Sequence, residues 1–203
     1  MLIGRALRRR RNALVPLTAA LLLAGCGAFR GPPPETYDLS APAPSGRTQG
    51  VTAAQILLPE PKALQALDSD RIVVRMGPKI SYYPDAQWPD RLPKLFQERA
   101  IEAFERSRRA RAVGRPGEGL SIDYQLLTDI RSFEYDSNGN GGIARVEISA
   151  RILNDRNGRV LASRLFQGEV TVTQDNAAGV VAGLDGALSQ VLTDLVNWTV
   201  GRL

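Results

Sequence analysis

The hydrophobic pattern of the first half of the folded region alternates between short apolar runs and breaks at proline or glycine. Residues 53–58 form an apolar run that is typical of a buried strand, and residues 62–68 space their leucines as a short helix would. Residues 71–76 and 79–83 are rich in β-branched and aromatic side chains and flank a Gly-Pro pair. This pattern predicts a β-hairpin.

Two longer segments show the 3.6-residue period of helices. Residues 91–107 gather their apolar side chains on one broad arc, which predicts an amphipathic helix. A narrower apolar stripe runs along the C-terminal segment and predicts a helix that packs on a sheet. The members of that stripe are Val181, Leu184, Leu188, Val191, Leu192, Leu195 and Trp198.

Between the two helices, apolar and polar residues alternate with period two in residues 120–126, 144–152 and 166–172. Asn- and Gly-rich clusters at 138–142 and 154–158 separate these runs and supply the positive φ angles of hairpin loops. The pattern predicts a three-stranded antiparallel meander. The predicted fold class is α+β, a single domain with a mixed, mainly antiparallel sheet, a C-terminal meander and two long helices packed on one side.

The N-terminal leader has the layout of an export signal. Five arginines within residues 1–11 precede an apolar run that is too short to span a bilayer. The run ends in Leu23-Ala24-Gly25-Cys26, which resembles the bacterial lipobox, whose cysteine is acylated and becomes the new N-terminus. We therefore expect residues 1–25 to be a lipoprotein signal peptide and Cys26 to carry fatty acyl chains such as palmitate. The alternative is an ordinary export signal with an incidental cysteine.

The segment that follows Cys26 is rich in proline and small residues, so residues 26–50 are predicted to be a tether and residues 51–203 the globular domain. Tyr37, Asp38 and Leu39 interrupt the tether, where docking as a short strand is expected. Gly27 follows the cysteine, whereas retention in the inner membrane resembles a rule that requires Asp there. We expect a lipid-anchored protein at the outer membrane, facing the periplasm.

Composition narrows the function classes. The chain has 26 Lys+Arg and 21 Asp+Glu, but the signal holds five of the arginines and no acid, so 26 − 5 = 21 bases face 21 acids in the mature chain. A neutral chain gives no reason to expect nucleic-acid binding. There is no histidine and no cysteine besides Cys26, which removes common general bases, nucleophiles and metal ligands. We expect no enzyme activity and no cofactor.

One metal-binding pattern is present. Asp136, Asn138, Asn140, Gly141 and Glu147 match the spacing of an EF-hand calcium loop. The flanking period of two favours strands instead of the helices that an EF-hand requires, and an Asn/Gly-rich hairpin loop explains the same residues. Calcium binding is therefore the lesser alternative, and no metal site is predicted.

Aromatic and basic clusters allow two interpretations each. Tyr82, Tyr83 and Trp88 either cap the core or form a contact with a partner or lipid, since exposed aromatic residues are enriched at interfaces. Four arginines at the end of the first helix favour a solvated helix terminus over an anion site, because cations are favourable there. These are Arg106, Arg108, Arg109 and Arg111.

Several local motifs of the mature chain belong to one pattern, namely residues 37–39, 70–75, 81–83 leading to Trp88, 92–96, 133–134, 153–155 and 158–161. Together with the element order, they resemble the ABC-type transport auxiliary lipoproteins, which accompany transporters of the mammalian-cell-entry (MCE) type and include the paraquat-inducible C lipoprotein. The Asn/Gly expansion at 137–142 is a local departure from that pattern.

The resemblance implies a non-enzymatic accessory component of a lipid-transport system. Its partners would be an MCE-type substrate-binding protein, a permease and an ATPase, and a homo-oligomer is an open possibility. The alternatives are a free-standing structural or envelope-assembly lipoprotein and, less favoured, a periplasmic calcium-binding module.

Overall fold

The structure is a computed structural model that describes residues 32–44, 50–139 and 141–203. We number its elements in chain order. The strands are β1 (Glu35–Thr36), β2 (Thr52–Leu57), β3 (Lys62–Ala63), β4 (Arg71–Met76), β5 (Lys79–Gln87), β6 (Ala110–Gly114), β7 (Tyr124–Ser137), β8 (Gly142–Asn154) and β9 (Val160–Val172). The helices are α1 (Leu92–Ser107) and α2 (Ala177–Val200).

Strand β7 organises the sheet because both of its edges are used. One edge pairs antiparallel with β8 over nearly its whole length, and β8 pairs antiparallel with β9. The other edge takes three parallel partners in succession, namely β2, β3 and β4. Beyond them, β6 adds to β2, while β5 and then β1 add to β4.

The expected meander is therefore present as β7–β8–β9, but the sheet as a whole is mixed. The prediction of a mixed sheet is confirmed, but the prediction that it is mainly antiparallel was wrong. Parallel pairing connects β7 to three strands that lie far away in the sequence. Local periodicity carries no information about such pairings.

Helix α2 packs on one face of β8 and β9. Asn176 caps its N-terminus by accepting a hydrogen bond from the Gly179 amide at 2.8 Å. Small residues allow a close approach to the sheet, since a Cβ on Gly168 would lie 2.3 Å from the Ala187 carbonyl oxygen. The whole predicted apolar stripe of α2 is buried.

Helix α2 also has the length and mean hydropathy of a membrane span, 24 residues and 1.2. Its buried stripe, packed on the sheet and joined to the single core cluster, is typical of the core helix of a soluble domain. Within that core, Phe166 of β9 meets Trp198 of α2 edge to face, with ring centroids 5.5 Å apart.

Helix α1 begins one residue after its predicted start, with Pro93 in its first turn, where a missing amide hydrogen costs little. It ends at Arg108, which adopts a left-handed conformation with φ 53°. The chain then enters β6, a strand that the sequence pattern did not predict. Arginines at 109 and 111 obscure its period, and the four-arginine cluster is thus split between a helix end and a strand.

The short helix predicted at residues 62–68 is wrong. Lys62 and Ala63 instead form a parallel bridge to β7, and a turn follows in which the Leu67 amide donates to the Leu64 carbonyl at 2.8 Å. Seven residues behind a proline are too few to sustain an isolated helix. Leu67 is buried, whereas Leu64 is 72% exposed.

Candidate functional site

The face of the sheet opposite α2 carries two rows of side chains that cross several strands. Register pairs Tyr82 with Val73, Val73 with Glu134 and Glu134 with Arg145, which in turn faces Glu169. The neighbouring row runs Ile80, Arg75, Asp136, Ile143 and Thr171. We call this surface the open face.

A bidentate ion pair lies near the centre of the open face. Arg75 Nε donates to Glu134 Oε1 at 2.6 Å and Nη2 donates to Oε2 at 2.8 Å. The Glu134 side chain is only 7% exposed and that of Arg75 is 34% exposed. The hydrogen bonds to Glu134 raise the pKa of the Arg75 guanidinium above its ordinary value. The two parallel hydrogen bonds are charge-assisted, so the pair gives the surface a fixed polar centre.

A second, more exposed set of charges continues the pattern towards β9. Arg145 Nε donates to Glu169 Oε1 at 2.7 Å, and its Nη1 lies 3.6 Å from Asp136 Oδ2. The hydrogen bond to Glu169 raises the pKa of Arg145. Positive and negative groups thus alternate across four strands, which leaves little net field for a charged ligand.

The two tyrosines of the predicted aromatic group are half-buried. As successive residues of β5 they point to opposite faces of the sheet, so Tyr82 lies at the margin of the open face and Tyr83 on the α2 side. The guanidinium of exposed Arg71 lies 3.9 Å from the ring centroid of Tyr82, a cation–π contact. The Tyr83 hydroxyl donates to the Asp175 carbonyl at 3.5 Å, and burial raises the pKa of Tyr83. Both rings keep surface that a partner could cover.

Trp88 belongs to the core. It is 1% exposed and meets Phe133 edge to face at a centroid distance of 5.9 Å. The expectation that it contacts a partner is corrected for this residue, because its ring is already covered by the domain itself. The core interpretation holds for Trp88.

The calcium-loop residues do not converge. Asp136 and Glu147 lie on β7 and β8, and register pairs them with Ile143 and Ser132 respectively. Four residues of strand therefore separate their levels, about 13 Å. Glu147 accepts a hydrogen bond from Gln167 at 2.6 Å, and the Asn138 amide donates to the Gly141 carbonyl as part of a hairpin turn. Asn140 lies outside the described residues.

Part of the predicted tether of residues 26–50 is not free: docking is expected at residues 37–39, and in the structure residues 35–41 pack on the folded body. We call these residues the strap. Ser40 donates its amide and hydroxyl to Asp185 of α2 at 2.6 and 2.7 Å. Arg99 of α1 donates to the Asp38 carboxylate at 2.7 Å, and Leu39 is 3% exposed.

The lipobox residues Leu23, Ala24, Gly25 and Cys26 lie outside the described residues. The strap itself had a weak signal in the sequence, since Tyr37-Asp38-Leu39 interrupts the proline-rich stretch with side chains that a free tether does not need.

The basic cluster at the end of α1 is structural. Arg106 donates to the Ala41 carbonyl of the strap at 2.8 Å, and Arg109, 6% exposed, donates to the Gly50 carbonyl at 3.0 Å. A cleft beside Arg109 has a volume of about 30 Å³. That volume is far below the several hundred Å³ of a typical small-molecule site.

Comparison with known proteins identifies the family. The ABC-type transport auxiliary lipoprotein component family matches residues 37–196, from the strap to the last turns of α2. This chain belongs to that family. The resemblance predicted from the sequence is confirmed.

Individual relatives of the auxiliary lipoprotein agree with this assignment. An uncharacterized protein of Bradyrhizobium diazoefficiens is 37% identical over 167 residues, which are 81% of this chain and 44% of that protein. The chain thus spans less than half the length of this curated relative.

Solved structures share the fold. A crystal structure of a Xanthomonas campestris protein of the DUF330 family is 30% identical, with a TM-score of 0.76, and the match covers 83% of this chain and 96% of that one. A second, uncharacterized protein matches with a TM-score of 0.62 at 11% identity, covering 83% of this chain and 99% of that one, and shows the fold alone. The family description, an auxiliary component of ABC-type transport and a lipoprotein, indicates a protein anchored in the cell envelope.

Proposed function

We propose that this protein is a non-enzymatic accessory lipoprotein of an MCE-type ABC lipid-transport system, anchored at the outer membrane and facing the periplasm, where it docks the MCE partner. A permease and an ATPase would supply the energy. The observation that carries the proposal is the family match over residues 37–196, which takes in the strap, the sheet and both helices.

The character of the open face supports docking. Its charged side chains are paired with one another, and aromatic and apolar groups lie beside them. Contact surfaces of this kind bind through shape and apolar area, with aromatic residues and arginine as common anchors. Tyr82, on the open face, and Tyr83, on the α2 side of β5 beside Asp175, are the proposed partner contacts. Arg71 stacks on Tyr82 and is a third contributor.

The proposal requires a partner in the same envelope system. The test is covalent capture in cells that carry the native operon: a photoreactive amino acid replaces Tyr82, and cross-linked products are identified by mass spectrometry. We expect the cross-linked product to contain the MCE protein encoded beside this gene. We also expect permease and ATPase genes in the same gene neighbourhood.

A matched control carries the same photoreactive group at Leu165, which is 50% exposed at a distance from Tyr82 on β9. Equal yields of the MCE adduct from both positions would contradict docking at the tyrosines. If neither position gives an MCE adduct, the result would instead favour a free-standing envelope-assembly lipoprotein. The lack of an MCE gene beside this one would favour the same alternative.

Anchoring and sorting form a separate part of the proposal. Gly27 follows the acylated Cys26, so we expect the protein in outer-membrane fractions of a density gradient. Gly27→Asp is the informative variant, because it should move the protein to inner-membrane fractions if the aspartate rule applies. A native protein that fractionates with inner-membrane markers would contradict outer-membrane anchoring.

A further inference from the structure

Three structural features lie together at the end of the sheet where β7 ends. The turn between β4 and β5 lies at this end, because β4 runs parallel to β7, and the end of β7 lies here as well. The chain also arrives from this direction: β1 runs parallel to β5, with Glu35 opposite Ala86, so the N-terminal end of β1 points towards the beginning of β5. Finally, this turn is apolar and exposed.

We call residues 76–80 the hairpin tip. Met76 is 54% exposed and Ile80 is 45% exposed. Pro78 and Lys79 between them are exposed as well. Apolar side chains combined with a cation suit the interface of a bilayer, where apolar groups enter the headgroup boundary and lysine meets anionic lipid.

Because the strap is packed on the domain, it limits how far the acylated Cys26 can lie from the end of the sheet that carries the hairpin tip. Only nine residue steps separate Cys26 from Glu35, and a chain spans at most about 3.3–3.6 Å per residue, so the acylated cysteine lies within about 32 Å of Glu35. With a tether that was free to residue 50, the reach would have been more than twice as long.

Sheet geometry shows which end of the domain that reach favours. Gln87 pairs with Arg71 and Ile80 pairs with Arg75, so four residues of β4, about 13 Å, separate the level of β1 from that of Ile80. With one strand spacing added, Ile80 lies about 14 Å from Glu35.

The opposite end lies much farther from the strap. Gln167 of β9 lies at the same level of the sheet as β1, and five strand spacings separate β9 from β1. Leu161 lies near the start of β9, six residues before Gln167 and towards the opposite end of the sheet. These steps give about 31 Å from Glu35, equal to the full reach of the stretched chain.

We propose that the hairpin tip contacts the surface of the membrane in which the protein is anchored, and that the strap fixes this orientation. The inference rests on acylation of Cys26, which is part of the proposed function. The tip is small, and its affinity for lipid is weak on its own. The short segment between Cys26 and Glu35 raises the effective concentration of the hairpin tip at the bilayer to the millimolar range, which is sufficient to populate a weak contact.

The test uses the full, acylated chain. Because Cys26 is the only cysteine and its thiol is consumed by lipid, one introduced cysteine can be labelled uniquely. Ile80→Cys and Leu161→Cys are matched, with native side chains 45% and 51% exposed. Each variant carries an environment-sensitive fluorophore and is reconstituted into vesicles of phosphatidylethanolamine and phosphatidylglycerol that contain a lipid with a nitroxide on its headgroup.

We expect the label at position 80 to be quenched several-fold more than the label at position 161. Equal quenching, or stronger quenching at 161, would overturn the inference. A concentration-dependent shift in the emission of the label at 80 in detergent, without vesicles, would place the tip against a second copy of the chain and would also overturn it.

A second pair of variants tests the apolar residues themselves. With the label at Lys79→Cys, replacing Met76 and Ile80 by serine should lower the quenching towards the value found at position 161. The control pair Leu161→Ser and Leu165→Ser should leave it unchanged. Unchanged quenching in the first pair would contradict an apolar contact of the tip.

The intact mass separates this inference from the proposed function. A protein without acyl chains would overturn both the anchor and the membrane contact. An acylated protein whose two labels are quenched equally would overturn the membrane contact alone.

Discussion

At the scale of single residues, the Arg75–Glu134 pair is the ion pair that the fold covers most completely among the described residues. Glu134 is 7% exposed and holds both hydrogen bonds of the guanidinium. Glu134→Gln removes the charge and the bidentate pairing, and leaves Arg75 with only the more weakly interacting Asp136 as a counterion. We expect a loss of about 1–3 kcal/mol in the free energy of unfolding, measured by urea titration.

Glu169→Gln is the matched control for this prediction. Glu169 is 53% exposed, and its partner Arg145 keeps Asp136 nearby. A pair in such a setting is screened by water and contributes at most about 1 kcal/mol. Equal losses in the two variants would contradict a special contribution of the covered pair.

The sequence predicted some residue environments and not others. The α2 stripe followed from its period alone, whereas nothing in the sequence around Glu134 distinguishes it from an ordinary exposed glutamate. Its burial depends on register pairing of β7 with β4, which lies about 60 positions earlier in the chain. The choice for Trp88 between core and contact was open for the same reason.

At the scale of elements, α2 supplies the largest contribution to the core. Leu188 and Leu192 are fully buried against the sheet. Leu188→Ala or Leu192→Ala leaves a cavity in addition to the lost apolar burial, and we expect each to cost about 2–5 kcal/mol in thermal or chemical unfolding. Gln190→Ala, an exposed position on the same helix, should have little effect. Unchanged stability in both leucine variants would mean that this stripe is exposed.

If the strap is packed on the domain and is not a free tether, substitutions in it should lower the free energy of unfolding. Leu39 is 3% exposed, and Leu39→Ala should lower the free energy of unfolding by about 2–5 kcal/mol, as expected for a buried leucine. Leu64→Ala is the control, since that leucine is 72% exposed and its loss should change stability by no more than about 0.5 kcal/mol. Equal, small effects at both positions would show that residues 35–41 do not stay packed in solution.

Period and turn chemistry predicted the long elements, namely α1, α2, β4, β7, β8 and most of β5. They failed where tertiary contacts override local preference: residues 62–68 bridge to β7 instead of forming a helix, and β6 has a period that arginines obscure. Proline content indicated a tether, but hydrogen bonds from α1 and α2 capture part of it as the strap.

At the scale of the whole molecule, the account depends first on the lipid anchor. Cys26→Ser should give a precursor that keeps its leader and lacks acyl chains, because serine offers no thiol for the thioether. Each buried methylene contributes about 0.8 kcal/mol, so several acyl chains anchor a protein stably where a single chain is marginal. Intact mass and membrane fractionation check this, and a variant with native mass and native fractionation would contradict the lipoprotein assignment.

The claim that the protein docks an MCE partner is tested most directly by measuring that affinity. Detergent-solubilised, acylated protein is titrated against the MCE protein encoded beside it, together with Tyr82→Ala and Tyr83→Ala variants whose folding is verified by thermal melts. Leu165→Ala is the matched control, on the same face of the sheet as Tyr82 but four strands away on β9. The account predicts binding by the native chain, a loss of about thirtyfold in at least one tyrosine variant, as for an interface anchor, and native affinity in the control. No binding at tens of micromolar by the native chain, or a loss confined to Leu165→Ala, would contradict it.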